Sequence, residues 1–338
     1  MKFSIGYPLN TQGRSFFDTV HPLLGSVAEV YFAWPGEPSG RSAAGHDFGM
    51  IDYGATNELL GELMRFREAG VRLALLFNGS CYGEDSMSRA LECRVISVLE
   101  YMEETVGLPE TVTTASPAIA FIVKKHFPRV VTRASVNMRI GTVQGLEYMQ
   151  DRFDEYLLQR DHNRDMDVMR ELTDWCRENG KGASILVNSG CLRFCSGQTF
   201  HDNLVAHGEG ADMRYPIEGF SLYTCWNYLK RGDENLLSLL RATWIRPEDL
   251  HHYEGMFDTV KLATRMHPAP RMVLEAYASG HYEGNLLDLM EPGYASLIAP
   301  HILDNAAFSS DWFEKSSGCH GQCAQCSVCR DEWQRVYR

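Results

Sequence analysis

Short apolar stretches rich in β-branched residues alternate with longer stretches of helical periodicity along most of the chain. Early examples are the apolar run 27–34, the helical stretch 55–70 and the apolar run 71–78. Strands that alternate with helices of about 10–15 residues pair in parallel and are joined by right-handed crossovers. The runs that we predict to be strands are 2–9, 27–34, 71–78, 110–116, 129–136, 155–159, 182–190, 241–247 and 257–264.

The number of these repeats predicts the fold class. About eight strand–helix units over roughly 260 residues fit an α/β fold of the (β/α)8 TIM-type barrel class better than an open sheet. No GxGxxG or Walker-type loop follows an early strand, which argues against a doubly wound nucleotide-binding fold. The strand pattern stops near Asn305. We therefore predict a barrel domain over 1–304 and a cysteine-rich C-terminal extension over 305–338.

Composition and charge narrow the range of partners. The 338 residues are 44% hydrophobic and carry a net charge of −12. This negative charge argues against a broad nucleic-acid interface, which normally has a basic surface. No apolar stretch approaches the roughly 18 residues that a membrane span needs, and the N-terminus lacks a signal-peptide pattern. We predict a cytoplasmic protein without membrane contact that acts on a small-molecule substrate, with a homologous or redox protein as a further partner.

Ten cysteines in a cytoplasmic chain indicate metal ligation where they cluster, because the cytosol keeps thiols reduced. Four of them lie within the extension and are spaced x3, x2 and x2, which is more typical of iron–sulfur proteins than of zinc knuckles. A zinc site remains the alternative. The first three also have the spacing of radical S-adenosylmethionine enzymes, although the C-terminal position and a fourth, capping thiol argue against that class. We name these four the tail thiols: Cys319, Cys323, Cys326 and Cys329.

Polar residues that follow predicted strands are the candidate site residues, because barrel active sites lie at the C-terminal ends of the strands. A second thiol set follows such strands, and arginine or lysine there can bind an anionic ligand. The predicted metal ligands of this second set are Cys81, Cys191, Cys195 and Cys225. The predicted catalytic residues are His201, Arg265, Lys261 and Asn78. The predicted cofactor-binding residues are Arg41, Arg139 and His162.

Three segments of the chain resemble the collagenase-like peptidase family U32. They are "LLFNGSCYG", "ILVNSGCLRFCSGQTFHDNLVAH" and "IRPEDLHHYEGMFDTVKLATR", and the resemblance extends roughly from Lys2 to Arg265. It implies a four-iron four-sulfur cluster held by Cys191, Cys195 and Cys225, with Cys81 as the weakest candidate for the fourth ligand. The chain departs from better-known members in its "NSGCLRFCSG" context and in its added tail thiols, which allow one cluster or two.

The resemblance also implies oxygen-independent hydroxylation, with prephenate as the oxygen donor. From it we predict an iron–sulfur redox enzyme that acts on a small or acyl-type substrate at the barrel mouth. Two alternatives stay open: a radical S-adenosylmethionine enzyme built on the tail thiols, and a non-catalytic electron-transfer subunit. The residues give no support for a peptidase, since they contain neither an HExxH motif nor an evident Ser/His/Asp set.

Overall fold

A parallel barrel dominates the computed structural model, which describes residues 1–8, 13–40, 53–207, 217–221, 223–319 and 321–338. Within these ranges eight parallel strands form one sheet in the order β7-β6-β5-β4-β3-β2-β1-β8. The predicted (β/α)8 fold class is confirmed. The strands are β1 (Lys2–Gly6), β2 (Val27–Ala33), β3 (Arg72–Phe77), β4 (Thr111–Thr114), β5 (Val131–Ala134), β6 (Glu155–Leu157), β7 (Gly182–Ser184) and β8 (Thr259–Lys261).

Backbone hydrogen bonds beyond the end of β7 close the barrel. The amide of Lys261 donates to the carbonyl of Ile185 at 2.8 Å, and the amide of Val187 donates to the carbonyl of Lys261 at 3.1 Å. The predicted strand 241–247 is not a strand. Its Ile245 amide donates one bond to the Val187 carbonyl, and its buried Trp244 packs against other aromatic rings. This apolar run therefore supports the closing segment from outside the sheet.

Helices surround the strands, and several begin at a residue whose side chain accepts a backbone N–H, as Ser88 and Asp165 do. The α-helices are α1 (Phe16–Val20), α2 (Tyr53–Glu68), α3 (Arg89–Thr105), α4 (Pro117–His126), α5 (Val143–Glu147), α6 (Met166–Glu178), α7 (Gln198–Ala206), α8 (Thr224–Leu229), α9 (Asp233–Leu236), α10 (Ser238–Arg241), α11 (Pro270–Ser279), α12 (Ala295–Ile298), α13 (Trp312–Ser317) and α14 (Val328–Val336). Short 3-10 turns lie at His21–Ser26, Gly83–Met87, Val136–Met138, Arg160–His162, Pro247–Tyr253, Leu286–Leu289 and Asn305–Ala307. No helix in the described ranges is long and apolar enough to cross a membrane.

Alternate strand residues belong to two different environments. Residues such as Val30, Phe32 and Leu75 join the large apolar core that the helices cover. Charged and polar residues occupy the alternate positions, and Ser4, Glu29 and Arg133 all line a cavity of about 310 Å³. Successive side chains of a strand point to opposite faces, so these polar residues lie inside the barrel.

A buried ion network fills the barrel near its N-terminal end. The guanidinium of Arg133 donates to both carboxylate oxygens of Glu29, at 2.7 and 2.9 Å, and also to Glu155 at 2.7 Å. The hydroxyl of Ser4 adds a 2.6 Å bond to Glu29. Burial alone would raise the pKa of Glu29, but the ion pair with Arg133 lowers it to about 2. Glu29 is therefore ionised at neutral pH although it is fully buried.

A glycine on β1 creates the space for an aromatic ring above this network. A Cβ on Gly6 would lie only 2.6–2.7 Å from ring atoms of Tyr31, so a side chain there would displace the ring. The Tyr31 hydroxyl donates to the carbonyl of Leu262 at 2.8 Å. Tyr31 is thereby fixed inside the barrel between β1, β2 and the end of β8.

The C-terminal extension packs into the same apolar core as the barrel. Its Trp312 is 1% exposed and stacks on Trp244, with ring centroids 6.3 Å apart. The guanidinium of Arg164 lies over both rings, at 4.5 and 5.2 Å from their centroids. The last residues pair with 302–304 through backbone hydrogen bonds. The domain boundary between 304 and 305 stays a prediction.

Replacement of Arg133 tests the ion network. We expect Arg133→Met to lower the free energy of unfolding by about 3–5 kcal/mol, because it leaves the Glu29 carboxylate buried and unpaired. Urea denaturation at pH 7 measures the change, and Arg129→Met, at an exposed position two residues before β5, is the control. The double variant Glu29→Leu/Arg133→Met should recover much of the loss. A loss in Arg133→Met no larger than that in the control would contradict this account.

Candidate functional site

A cavity of about 750 Å³ lies at the C-terminal ends of the strands and collects most of the site residues predicted outside the tail. We name it the mouth pocket. Barrel topology explains the convergence, because the loops after all parallel strands meet at one end. The predicted residues that line it are Asn78, Cys191, Cys195, His201, Cys225, Lys261 and Arg265.

Lys261, the last residue of β8, is a buried charged group that lines the mouth pocket. It is 8% exposed, and its Nζ lies 3.7 Å from the centroid of the Tyr31 ring. Burial, aided by the nearby cations Arg133 and Arg265, lowers the pKa of Lys261 to about 7 against the opposing effect of nearby carboxylates. A lysine with this pKa has a substantial fraction of neutral amine at neutral pH, which is the form that accepts a proton.

Arg265 and Glu291 both follow Lys261 in the sequence, and both act electrostatically on its amine. Arg265 is 4% exposed and Glu291 7% exposed, and both line the mouth pocket. The backbone amide of Met266 donates to Glu291 at 3.3 Å, and the amide of Glu291 donates to the carbonyl of Asn188. The loop after β8 and the segment around 291 are thereby joined at the pocket wall.

Two side-chain amides converge on the opposite wall beside Gly40. A Cβ on Gly40 would lie 2.3 Å from Nδ2 of Asn137 and 3.1 Å from Nδ2 of Asn78. Asn78 accepts bonds through its Oδ1 from the Ser39 hydroxyl and the Gly40 amide, at 3.3 and 3.2 Å. Because the side-chain oxygen of Asn78 accepts these two bonds, its NH2 group is oriented to donate to a ligand in the pocket.

The pocket thiols interact with one another electrostatically. Burial raises the pKa of Cys195, and the neighbouring thiols Cys225 and Cys191 raise it further, whereas Arg160 opposes the shift. Phe194, directly before Cys195, has a left-handed backbone with φ 51°, and its amide donates to Asp161 at 2.5 Å. This bond holds the loop in a conformation that residues other than glycine rarely adopt.

One of the tail thiols, Cys319, contacts the loop between Cys191 and Cys195. The Arg193 guanidinium donates to the Sγ of Cys319 at 3.4 Å. Burial raises the pKa of Cys329, which also interacts electrostatically with Cys319 and Cys323. The contact of Arg193 with Cys319 joins the start of the tail-thiol segment to the loop that contains Cys191 and Cys195.

Besides the tail thiols, four predicted residues are outside the group that lines the mouth pocket. Cys81 accepts a bond from the Gly83 amide at 3.4 Å. Arg139 donates to the Thr199 hydroxyl at 3.3 Å, and His162 packs edge-on against Phe194 with centroids 5.6 Å apart. Arg41 lies outside the described residues. The metal-ligating, catalytic and cofactor-binding roles of all the predicted residues stay predictions.

The mouth pocket also contains residues that the candidate set omitted. Tyr31 and Glu291 approach Lys261 from β2 and from a loop 30 residues after it, so no local spacing links them to the site. The sequence did indicate that Arg160 could belong to the site, since this residue directly follows the predicted strand 155–159. Its burial, at 7% exposure, is what distinguishes it from an ordinary loop arginine.

Comparison with known proteins gives two informative similarities. The chain is 26% identical over 275 residues to the uncharacterized protease MJ1657 of Methanocaldococcus jannaschii, covering 78% of this chain and 77% of the relative. The solved U32 peptidase Mk0906 superposes with a TM-score of 0.54 over 78% of this chain and 92% of that structure, at 13% identity. No family model matches the chain.

The chain is thus similar in sequence to a named protease and in fold to a U32 peptidase. The resemblance inferred from the sequence is thereby confirmed. The predicted function, an iron–sulfur redox enzyme with its radical and electron-transfer alternatives, is wrong: the relative and the structural neighbour are a protease and a peptidase by name. Within the described ranges, moreover, no three His, Cys, Asp or Glu side chains form a group that could hold a metal ion. The sequence-based dismissal of a peptidase finds no support in these relatives.

The cofactors themselves, one or two four-iron clusters with S-adenosylmethionine or prephenate as co-substrate, stay predictions. In the described part of the chain the thiols are neighbours but do not fit a metal as they are placed. Iron and acid-labile sulfide, measured on protein purified without oxygen, check the cluster independently of activity. The sequence predicts about four iron atoms per cluster, and protein that holds neither iron nor sulfide would contradict it.

Proposed function

We propose that the chain is a hydrolase that cleaves amide bonds of peptides in the mouth pocket, with the amine of Lys261 as general base. The observation that carries the proposal is the buried position of this amine on the Tyr31 ring, where burial and nearby cations lower its pKa to about 7. A general base works best when its pKa lies near the working pH. The names of the protease relative and the peptidase structure support the choice of an amide substrate.

The proposed reaction needs only water and the peptide. The Lys261 amine takes a proton from a water molecule as the water oxygen bonds to the carbonyl carbon. The resulting ammonium then returns that proton to the amide nitrogen as the carbon–nitrogen bond breaks, which releases a carboxylic acid and an amine. Both protons of the water are thus accounted for, and the lysine ends in its starting state.

Charge that develops on the carbonyl oxygen requires donors in the same pocket. The guanidinium of Arg265 and the converging amides of Asn78 and Asn137 are donors in the pocket that suit this role. Of these donors, Asn78 is held in advance by its bonds to Ser39 and Gly40. Donors that are already oriented need no reorganisation when the charge forms, which is why such groups lower the barrier.

Exposed aromatic residues next in sequence to lining residues, or lining the pocket themselves, offer apolar surface for peptide side chains. Phe200 and Phe220 are both more than half exposed and pair edge-to-face with centroids 6.1 Å apart. Tyr223, which packs against His201 at 5.7 Å, lines the pocket itself. Aromatic residues of this kind bind apolar groups while their edges and hydroxyls remain available to water.

Replacement of Lys261 tests the general base. We expect Lys261→Met to lower kcat/KM for peptide hydrolysis by about 100-fold or more, the usual contribution of a positioned base. Cleavage of a mixture of synthetic peptides, followed by mass spectrometry, identifies a substrate and measures the change. Lys261→Arg should be equally inactive because a guanidinium keeps its proton, whereas Lys125→Met, at an exposed ion pair, should leave the rate unchanged. Hydrolysis at the normal rate by Lys261→Met would eliminate this role.

The pH dependence follows from the lowered pKa of Lys261. Because only the neutral amine accepts a proton, kcat/KM should rise as the pH increases through about 7 and then level off. Stability provides a second readout. The folded protein binds fewer protons than the unfolded chain between about 7 and 10.5, so its stability relative to Lys261→Met should rise over that interval. A rate that is constant from pH 6 to pH 9 would count against the amine as base.

A further inference from the structure

Arg160 is a buried arginine whose backbone is anchored at the wall of the mouth pocket. It begins the 3-10 turn that follows β6, is 7% exposed and lines the pocket. Its carbonyl accepts a 2.6 Å bond from the hydroxyl of Thr243. The position of the residue is therefore fixed by its main chain, and its side chain is free to serve another purpose.

The side chain of Arg160 has no hydrogen-bond or ion-pair partner among the described residues, and its Nε is fully buried. The adjacent carboxylate does not supply one, because Asp161 accepts bonds from Gln159 at 3.0 Å and from the Phe194 amide at 2.5 Å. Gln198, which is 4% exposed and lines the same pocket, likewise has a buried Oε1 without a partner. Two unpartnered polar side chains thus border one cavity.

Two other buried arginines of this protein are paired with carboxylates within the fold. Arg133 pairs with Glu29 and Glu155, and Arg246 donates to both oxygens of Asp249 at 2.7 and 2.9 Å. An unpaired buried guanidinium costs free energy because it has lost its water without gaining a partner. Such a cost is offset when a ligand supplies the missing acceptors, and the planar guanidinium matches a carboxylate in a bidentate fashion.

We propose that Arg160 binds a carboxylate of the substrate in the mouth pocket, so that the preferred peptides carry a free carboxylate next to the cleaved bond. This inference rests on the proposed peptide hydrolysis and specifies its substrate class. The carboxylate has two sources, the C-terminus of the peptide or an acidic side chain. Both present the same planar pair of oxygens to the guanidinium, and matched peptides distinguish them.

The experiment compares two pairs of probes by titration calorimetry. One pair is acetyl-Ala-Ala-Ala with a free carboxylate and with a C-terminal amide; the other is acetyl-Ala-Glu-Ala-amide and acetyl-Ala-Gln-Ala-amide. We expect the carboxylate member of one pair to bind about 10- to 100-fold tighter than its amide, the effect of a hydrogen bond between charged groups. The pair that shows the preference identifies the source. Equal binding within both pairs would overturn the proposal.

Variants separate recognition from a structural role. Arg160→Gln should abolish the carboxylate preference, and Arg160→Lys should restore part of it through its charge. Because Arg160 has no partner to lose, Arg160→Gln should keep or raise the Tm, whereas a structural arginine would lower it. Arg170→Gln, which removes an exposed arginine, is the matched control and should retain the preference. A lowered Tm in Arg160→Gln together with an unchanged carboxylate preference would show that Arg160 is structural.

Hydrolysis of the same probes is followed by mass spectrometry. Carboxylate-dependent binding that Arg160→Gln removes, without cleavage of any peptide, would contradict the proposed hydrolysis and leave carboxylate recognition supported. Cleavage of amides and carboxylates at equal rates, with equal binding, would contradict carboxylate recognition and leave the hydrolysis supported. The two failures are therefore distinguishable.

Discussion

The barrel depends on a buried ion pair, the bidentate contact of Arg133 with Glu29. Removing two charges from water costs several kcal/mol for each ion, so a barrel interior is more simply filled with branched apolar residues. Here the cost is offset by geometry, because Ser4 and Glu155 complete the hydrogen bonding of both partners. A network satisfied on every side fixes the strands that contribute to it, which are β1, β2, β5 and β6.

The same network sets the electrostatics of the mouth pocket. Lys261 borders both the polar cavity around Arg133 and the mouth pocket, so its amine lies between two groups of charges. Burial and the cations Arg133 and Arg265 favour its neutral form, while Glu29 and Glu291 limit the shift. Gly6 contributes indirectly, since only a residue without a Cβ leaves room for the ring of Tyr31 on which the amine rests. The properties of one lysine thus depend on residues from three other strands and from two segments outside the sheet.

The alternation of apolar and helical stretches predicted the barrel because each strand can be recognised from its own residues. Assigning the (β/α)8 class then needs only the number of strands and their order along the chain. It failed at 241–247, where a short apolar run is equally compatible with a buried segment outside the sheet. Barrel active sites lie at the C-terminal ends of the strands. This rule alone, without any side-chain geometry, predicted that Asn78, Cys195 and Lys261 share one pocket, as they do.

Interactions between distant residues were not accessible in this way. Glu29 and Arg133 are 104 positions apart, and the only trace they leave in the sequence is a charge within an otherwise apolar strand. Whether such a charge finds a partner, a solvent path or a ligand is decided by the packing of other strands. The function was mispredicted for a related reason, because clustered cysteines indicate ligation only when their side chains converge, and spacing alone does not establish convergence.

The buried arginines show how one residue type is put to different uses in a single fold. Arg133 is satisfied by carboxylates inside the barrel, and Arg164 lies over Trp244 and Trp312 while donating to the Leu240 carbonyl at 3.0 Å. Both therefore stabilise the folded state. Arg160 differs in having its backbone anchored and its side chain without a partner in the described structure. An unpaired buried arginine lowers the stability of the fold, so its presence requires a gain in function. Ligand binding supplies that gain in the mouth pocket, which already contains the proton acceptor Lys261.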